Sequence, residues 1–279
     1  ISYRLVGSEM CIRDRDLSDL YDAPESASFN DDMEQLKKSV HDFEAEYKKA
    51  ILIKDAPISE NVKRLKKSIV SYEEILNSMG KLSGYATLHH VTATNDPGRT
   101  KFYGDTQVKI TEISNKIIFY ELELNSLSEK DLEKLLNDQE LASYKAWFEN
   151  IRKYKPHQLS DEVEQIFHDK SMTSFSAWNR LFDQTISNMK VDIDGESKSL
   201  EEALNYLLSP HEKDRKKAFL SVTDRLKENI PLFTHIMNTI CQDRSISDKW
   251  RKYKYPEQSR HLANNIEPEV VEALVNAVE

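Results

Sequence analysis

The stretch His211-Glu212-Lys213-Asp214-Arg215 begins like the HExxH zinc signature. In that signature two imidazoles one helical turn apart hold the metal, and the Glu acts as base on metal-bound water. Position 215 is Arg215, a permanent cation that cannot ligate. Glu212 also lies in the first turn of a predicted helix, where it reads as a capping residue. His89 and His90 are adjacent, so on a helix they point about 100° apart, whereas two ligands for one metal favour i, i+4 spacing. The pair reads as a half-exposed helical surface. His41, His157, His168 and His235 are isolated, and each reads as structural. Glu121 with Glu123, and Glu201 with Glu202, are close in sequence but diverge on a helix and read as solvated faces. No GxxxxGK[ST], GxGxxG or CxxC occurs, and six glycines leave little room for a phosphate loop. From residues alone the expectation is therefore no catalytic, cofactor-binding or metal-ligating residue in this chain.

Composition narrows the class. The 279 residues carry a formal charge of −9, which argues against a nucleic-acid partner held through phosphates. No apolar run approaches the ~20 residues that span a bilayer, so no membrane partner is expected. Residues 1–15 (ISYRLVGSEMCIRDR) have no helical or alternating period and no signal-peptide layout. They resemble translated sequencing adapter and are read as an artefactual leader. Cys11 falls in that leader, leaving Cys241, and a lone cysteine fits a reducing compartment.

Few Gly and Pro among many Leu, Lys and Glu predict long helices. Met33, Leu36, Val40, Phe43, Tyr47 and Ile51 make one apolar face. Val62, Leu65, Ile69, Tyr72, Leu76, Met79 and Leu82 make a second, with Gly80 and Gly84 marking either close approach or a tolerated kink. A third helix is predicted from about 100 to 125 through Phe102, Val108, Ile113, Ile117, Tyr120 and Leu124. Shorter helices follow near 129–137 and 139–153. Phe175, Trp178, Leu181, Phe182 and Ile186 form an aromatic face predicted to be core. Period-two alternation across Met189, Val191 and Ile193, closed by Asp194-Gly195, predicts a β-hairpin near 189–199. Ser199 with Glu202, and Ser209 with Glu212, read as capping boxes. The second opens one long helix, bent near Pro231, with Ala218, Phe219, Val222, Leu226, Phe233, Ile236 and Ile240 inward. A last helix starts at Pro268 and is still running at Glu279, which predicts truncation. The fold class is all-α: long antiparallel helices plus one small β-hairpin.

Whole phrases resemble one family. DLSDLYDAP (16–24), YELELNSLSEKDLEKLL (120–136), RKYKPHQLSDEVEQI (152–166) and KSMTSFSAWNRLFDQ (170–184) are similar to oligoendopeptidase F. So is 227–278, in order. That family is one of thimet-oligopeptidase-like zinc metallopeptidases. The resemblance implies a helical, clefted, cytoplasmic enzyme that cuts short peptides with a zinc held by HExxH and a further Glu. Those ligands belong to the family's later half. The expected layout is an N-terminal helical region at 16–114, an oligopeptidase F N-terminal-type domain at 115–199 and the start of the catalytic domain at 200–279. Zinc and peptide substrates are expected for the full-length parent and not for this chain alone. The alternative is a non-catalytic helical scaffold derived from that family.

Overall fold

The structure is a computed structural model, and it describes residues 16–279. The leader at 1–15 lies outside the described residues. The chain divides into two compact units, one ending at Tyr120 and the other starting at Glu121. It is all-α, and a two-stranded antiparallel hairpin is the sheet found among the described residues.

Three long helices build the first unit: α1 (Ala27–Tyr47), α2 (Ile58–Val91) and α3 (Pro97–Asn115). Each start has a physical cause. Ser26 Oγ accepts from the Phe29 N–H, and Asp96 accepts from the Arg99 N–H with Pro97 in the first turn. The inward stripe of α1 is the predicted one, and α2 buries Val62, Leu65, Ile69, Tyr72 and Leu82 as expected. Ile75 takes the inward place expected of Leu76, which is exposed, and Val108 is exposed too. A methyl group added at Gly80 or Gly84 meets nothing within 4 Å, so neither glycine answers to a close approach.

The predicted 100–125 helix is broken. α3 ends at Asn115 and α4 (Ile118–Ser126) begins after tightened bonds from Lys116 to Ile113 and Ile117 to Ser114. Ile117, just before α4, and Phe119 and Tyr120, adjacent on it, are all buried. Phe43, Tyr72 and Tyr120 then meet with ring centroids 4.8–6.1 Å apart, and Ser68 Oγ bonds the Tyr120 hydroxyl at 2.7 Å. A second aromatic group joins Tyr21, Phe29, Tyr85 and Phe102.

The second unit continues through α5 (Glu129–Leu136), α6 (Lys145–Lys153), α7 (Asp161–Ser171) and α8 (Phe175–Asn188). The hairpin follows as β1 (Lys190–Ile193) and β2 (Glu196–Ser199), paired antiparallel with Ile193 opposite Glu196. Asp194 (φ 59°) and Gly195 (φ 81°) turn in the left-handed region, as Asp-Gly hairpin turns require. Then come α9 (Leu200–Asn205), α10 (Glu212–Glu228), α11 (Ile230–Arg251), α12 (Gln258–Ala263) and α13 (Pro268–Val278). Val191 and Ile193 pack with Ala203, Ala218 and Val222 into a small core.

Four expectations are corrected here. Ser199 and Glu202 do form a capping box, but Ser209 does not: α10 starts at Glu212 with His211 as its cap residue. The long helix is two, split at Asn229, because Pro231 lacks an N–H and suits a first turn, not a mid-helix position. Phe219 is exposed. The aromatic face of α8 is not core: Phe175 and Phe182 are exposed at 47% and 42%, and Trp178 is half-buried. Trp178 meets His235 edge-on at 5.2 Å, and Phe182 meets Phe233 at 5.6 Å.

Candidate functional site

At the near-zinc motif, Arg215 Nη1 donates to the carbonyls of Ser209 (2.9 Å) and Pro210 (3.0 Å). The guanidinium thus folds back over the turn that precedes α10. Ser209 Oγ accepts from the His211 N–H at 3.2 Å and donates to Asp214 at 3.1 Å. A cation therefore stands where a second imidazole would have to be. These residues do not fit a zinc ion, which needs neutral imidazole, thiolate or carboxylate donors. No group of three or more His, Cys, Asp or Glu able to hold a metal ion occurs among the described residues.

The other histidines are placed one by one. His90 is buried, not half-exposed, and stacks on Tyr103 with centroids 4.9 Å apart. His89 is half-buried against Tyr85 and Phe102, and burial followed by the Arg99 charge pushes its pKa down. The aromatic lining of the α2–α3 contact is what draws the pair in. Burial also lowers His168. His157 is enclosed: Nδ1 lies 2.8 Å from the Arg251 carbonyl, Nε2 lies 3.3 Å from the Gln258 amide, and Tyr253 packs on the ring at 4.3 Å. Because Nδ1 faces a carbonyl, it carries the proton and Nε2 accepts. Glu202 is spent on its capping box, where the Ser199 backbone N–H lowers its pKa.

An ion pair that sequence reasoning missed sits beside His157. Arg251 at the end of α11 makes a two-pronged contact with Glu164 of α7, Nη1 to Oε1 at 2.8 Å and Nη2 to Oε2 at 2.7 Å. The Leu159 N–H donates to the same carboxylate at 3.0 Å. Burial alone would raise the Glu164 pKa, but Arg251 and the Leu159 N–H outweigh it and hold the carboxyl below its ordinary value. The partners are 87 residues apart, a separation at which no local pattern links them. The arrangement ties two helices and a loop, and it is structural.

A half-open, ligand-sized groove lies between α5 and α6. It is a cavity of about 460 Å³ with Leu132, Leu136 and Phe148 as apolar lining. Glu129 and Glu133 line it from α5, and Lys145, Glu149 and Arg152 from α6. The end of α4 and the loop before α5 are tied to α6. Arg152 donates to the carbonyls of Asn125 (2.6 Å) and Leu127 (2.7 Å), and Asn125 Nδ2 donates to the Ile151 carbonyl (2.9 Å).

Residues 123–190, from α4 to the start of the hairpin, match the family model described as Oligopeptidase F. The chain is 24% identical over 221 residues to the oligoendopeptidase F homolog of Borreliella burgdorferi, covering 78% of this chain and 37% of that protein. It is 25% identical over 234 residues to oligopeptidase PepF of Bacillus subtilis, covering 79% and 34%. The chain thus spans little more than a third of the length of these curated relatives. Its fold is similar to that of oligoendopeptidase-F from Enterococcus faecium, with a TM-score of 0.75 at 17% identity, covering 90% of this chain and 49% of that one. No helix among the described residues is long and apolar enough to cross a membrane. By the family model over 123–190, and by sequence and fold over most of its length, the chain is similar to the N-terminal portion of oligoendopeptidase F proteins.

Proposed function

We propose that this chain forms the N-terminal helical portion of a zinc-dependent metalloendopeptidase that hydrolyses short peptides in the cytoplasm. The match of 123–190 to the Oligopeptidase F model carries the reading, and relatives named as oligopeptidases support it. In this reading 16–114 is the N-terminal helical region, 115–199 the family's helical domain and 200–279 the beginning of the catalytic domain. Zinc and its HExxH and Glu ligands come from polypeptide outside these 279 residues, so the 279-residue chain is inactive alone. His211 and Glu212 serve only to start a helix. A second reading is a non-catalytic scaffold derived from the same family, and the sequence of the whole gene, with or without an HExxH, decides between the two.

The test is to express the gene whole and the 279-residue chain separately, and to assay both for zinc content and peptide hydrolysis. Hydrolysis by the whole product that a chelator abolishes, with none from the 279 residues, is the expected result. A gene with no HExxH and no hydrolysis gives the scaffold reading. Stoichiometric zinc in the 279-residue chain, or hydrolysis that Glu212→Gln removes, overturns both.

A further inference from the structure

We propose that the groove between α5 and α6 docks a peptide segment that carries a large apolar side chain beside a basic one. Neither this nor the zinc reading depends on the other, because the groove lies within α5 and α6 and uses none of the residues tested above.

The floor is apolar and fixed. Leu132 and Phe148 are buried, and Leu136 continues the Leu132 face one turn on. The volume, about 460 Å³, lies in the range of roughly 300–1,000 Å³ typical of ligand pockets. Each wall helix is eight or nine residues long, or about 12–14 Å at 1.5 Å per residue. That length holds three or four residues of extended peptide at about 3.3 Å each. The Arg152–Glu129 ion pair, at 3.6 Å, links the two walls.

Charge selects the occupant. Glu129 and Glu133 are one turn apart on α5, and Glu149 faces the same cavity from α6. All three are exposed, and neither the Glu133 nor the Glu149 carboxylate has an ion-pair or hydrogen-bond partner among the described residues. Arg152 keeps its positive charge while donating to two carbonyls and pairs with Glu129 at 3.6 Å, so Glu133 and Glu149 are the carboxylates left over, with Lys145 opposing them. A Lys or Arg next to the inserted apolar side chain finds these carboxylates within reach, while an acidic neighbour meets like charge. A phosphate-bearing ligand or an anionic membrane surface is disfavoured on the same ground.

The experiment uses the 279-residue chain and fluorescein-labelled Gly-Lys-Phe-Lys-Gly, followed by anisotropy. Gly-Glu-Phe-Glu-Gly and Gly-Lys-Ala-Lys-Gly should bind at least about tenfold more weakly, as should the first peptide to a Glu133→Lys/Glu149→Lys double variant. Both substituted positions are exposed, so an unchanged helical melting curve certifies the fold. Methyl resonances of Leu132 and Leu136 should shift on titration. Equal binding of the three peptides, indifference to the double reversal, or no binding of the first peptide at millimolar concentration overturns the proposal.

Discussion

Glu164 and Arg251 show how one pair of residues can fix a junction that no local pattern announces. The carboxylate is only 13% exposed and faces two guanidinium nitrogens and a backbone N–H. Glu164→Gln should cost about 2 kcal/mol at neutral pH, since it leaves a largely buried guanidinium without its counter-charge. The pH dependence has a definite sign. Glu164 is held below its ordinary value of 4.5, so its contribution is present above that value and is lost as pH falls through the depressed one. The gap between the parent and Glu164→Gln in urea unfolding should therefore close between neutral pH and the acid side of 4.5. His89 and His168 add an earlier step. Burial lowers both below 6.5, so the folded state resists their protonation, and stability starts to fall once pH drops under 6.5. A gap that never narrows on acidification, down to the onset of acid unfolding, would show that Glu164 is not the charged partner of Arg251.

Elements form here where local and tertiary demands agree. The hairpin is the clearest case: alternation, an Asp-Gly turn and a following capping box all specify the same register. Gly195 sits at φ 81° with open space around a would-be methyl group, so the cost of a side chain there is backbone strain alone. Gly195→Ala should destabilise by about 1 kcal/mol, and Gly195→Asn by less, because Asn tolerates left-handed backbone. Thermal melts of the two variants check the order; equal melting temperatures would mean that the turn is not strained. The breaks at Lys116–Ile117 and at Asn229 are not marked by a glycine: the second follows from Pro231, and the first sits beside the buried Ile117, Phe119 and Tyr120.

At the scale of the molecule the two units differ in finish. The first closes its aromatic faces, whereas the second leaves Phe175, Phe182, Met237, Leu274, Val275 and Val278 exposed. Contiguous exposed apolar surface drives association. The 279-residue chain should bind a hydrophobic dye and self-associate with rising concentration despite its −9 charge, and Leu274→Lys/Val278→Lys should reduce both. Sedimentation of a dye-silent monomer at high concentration would refute this.

Helix type, the α1 and α2 core stripes, the hairpin and the family resemblance were all readable in the chain, because each rests on short-range spacing that three- to four-residue and two-residue periods express directly. What needed the tertiary structure was everything set by partners distant in sequence. Amphipathic spacing on α8 marks an apolar face but not whether anything covers it, so Trp178 was expected in a core it only borders. Adjacent His89 and His90 gave no sign of the Tyr85, Phe102 and Tyr103 rings that enclose them. The acidic groove over Leu132 and Phe148 existed in sequence only as two unrelated helices. Its floor and its charge arise when α5 and α6 line one groove, with Arg152 reaching across to Glu129.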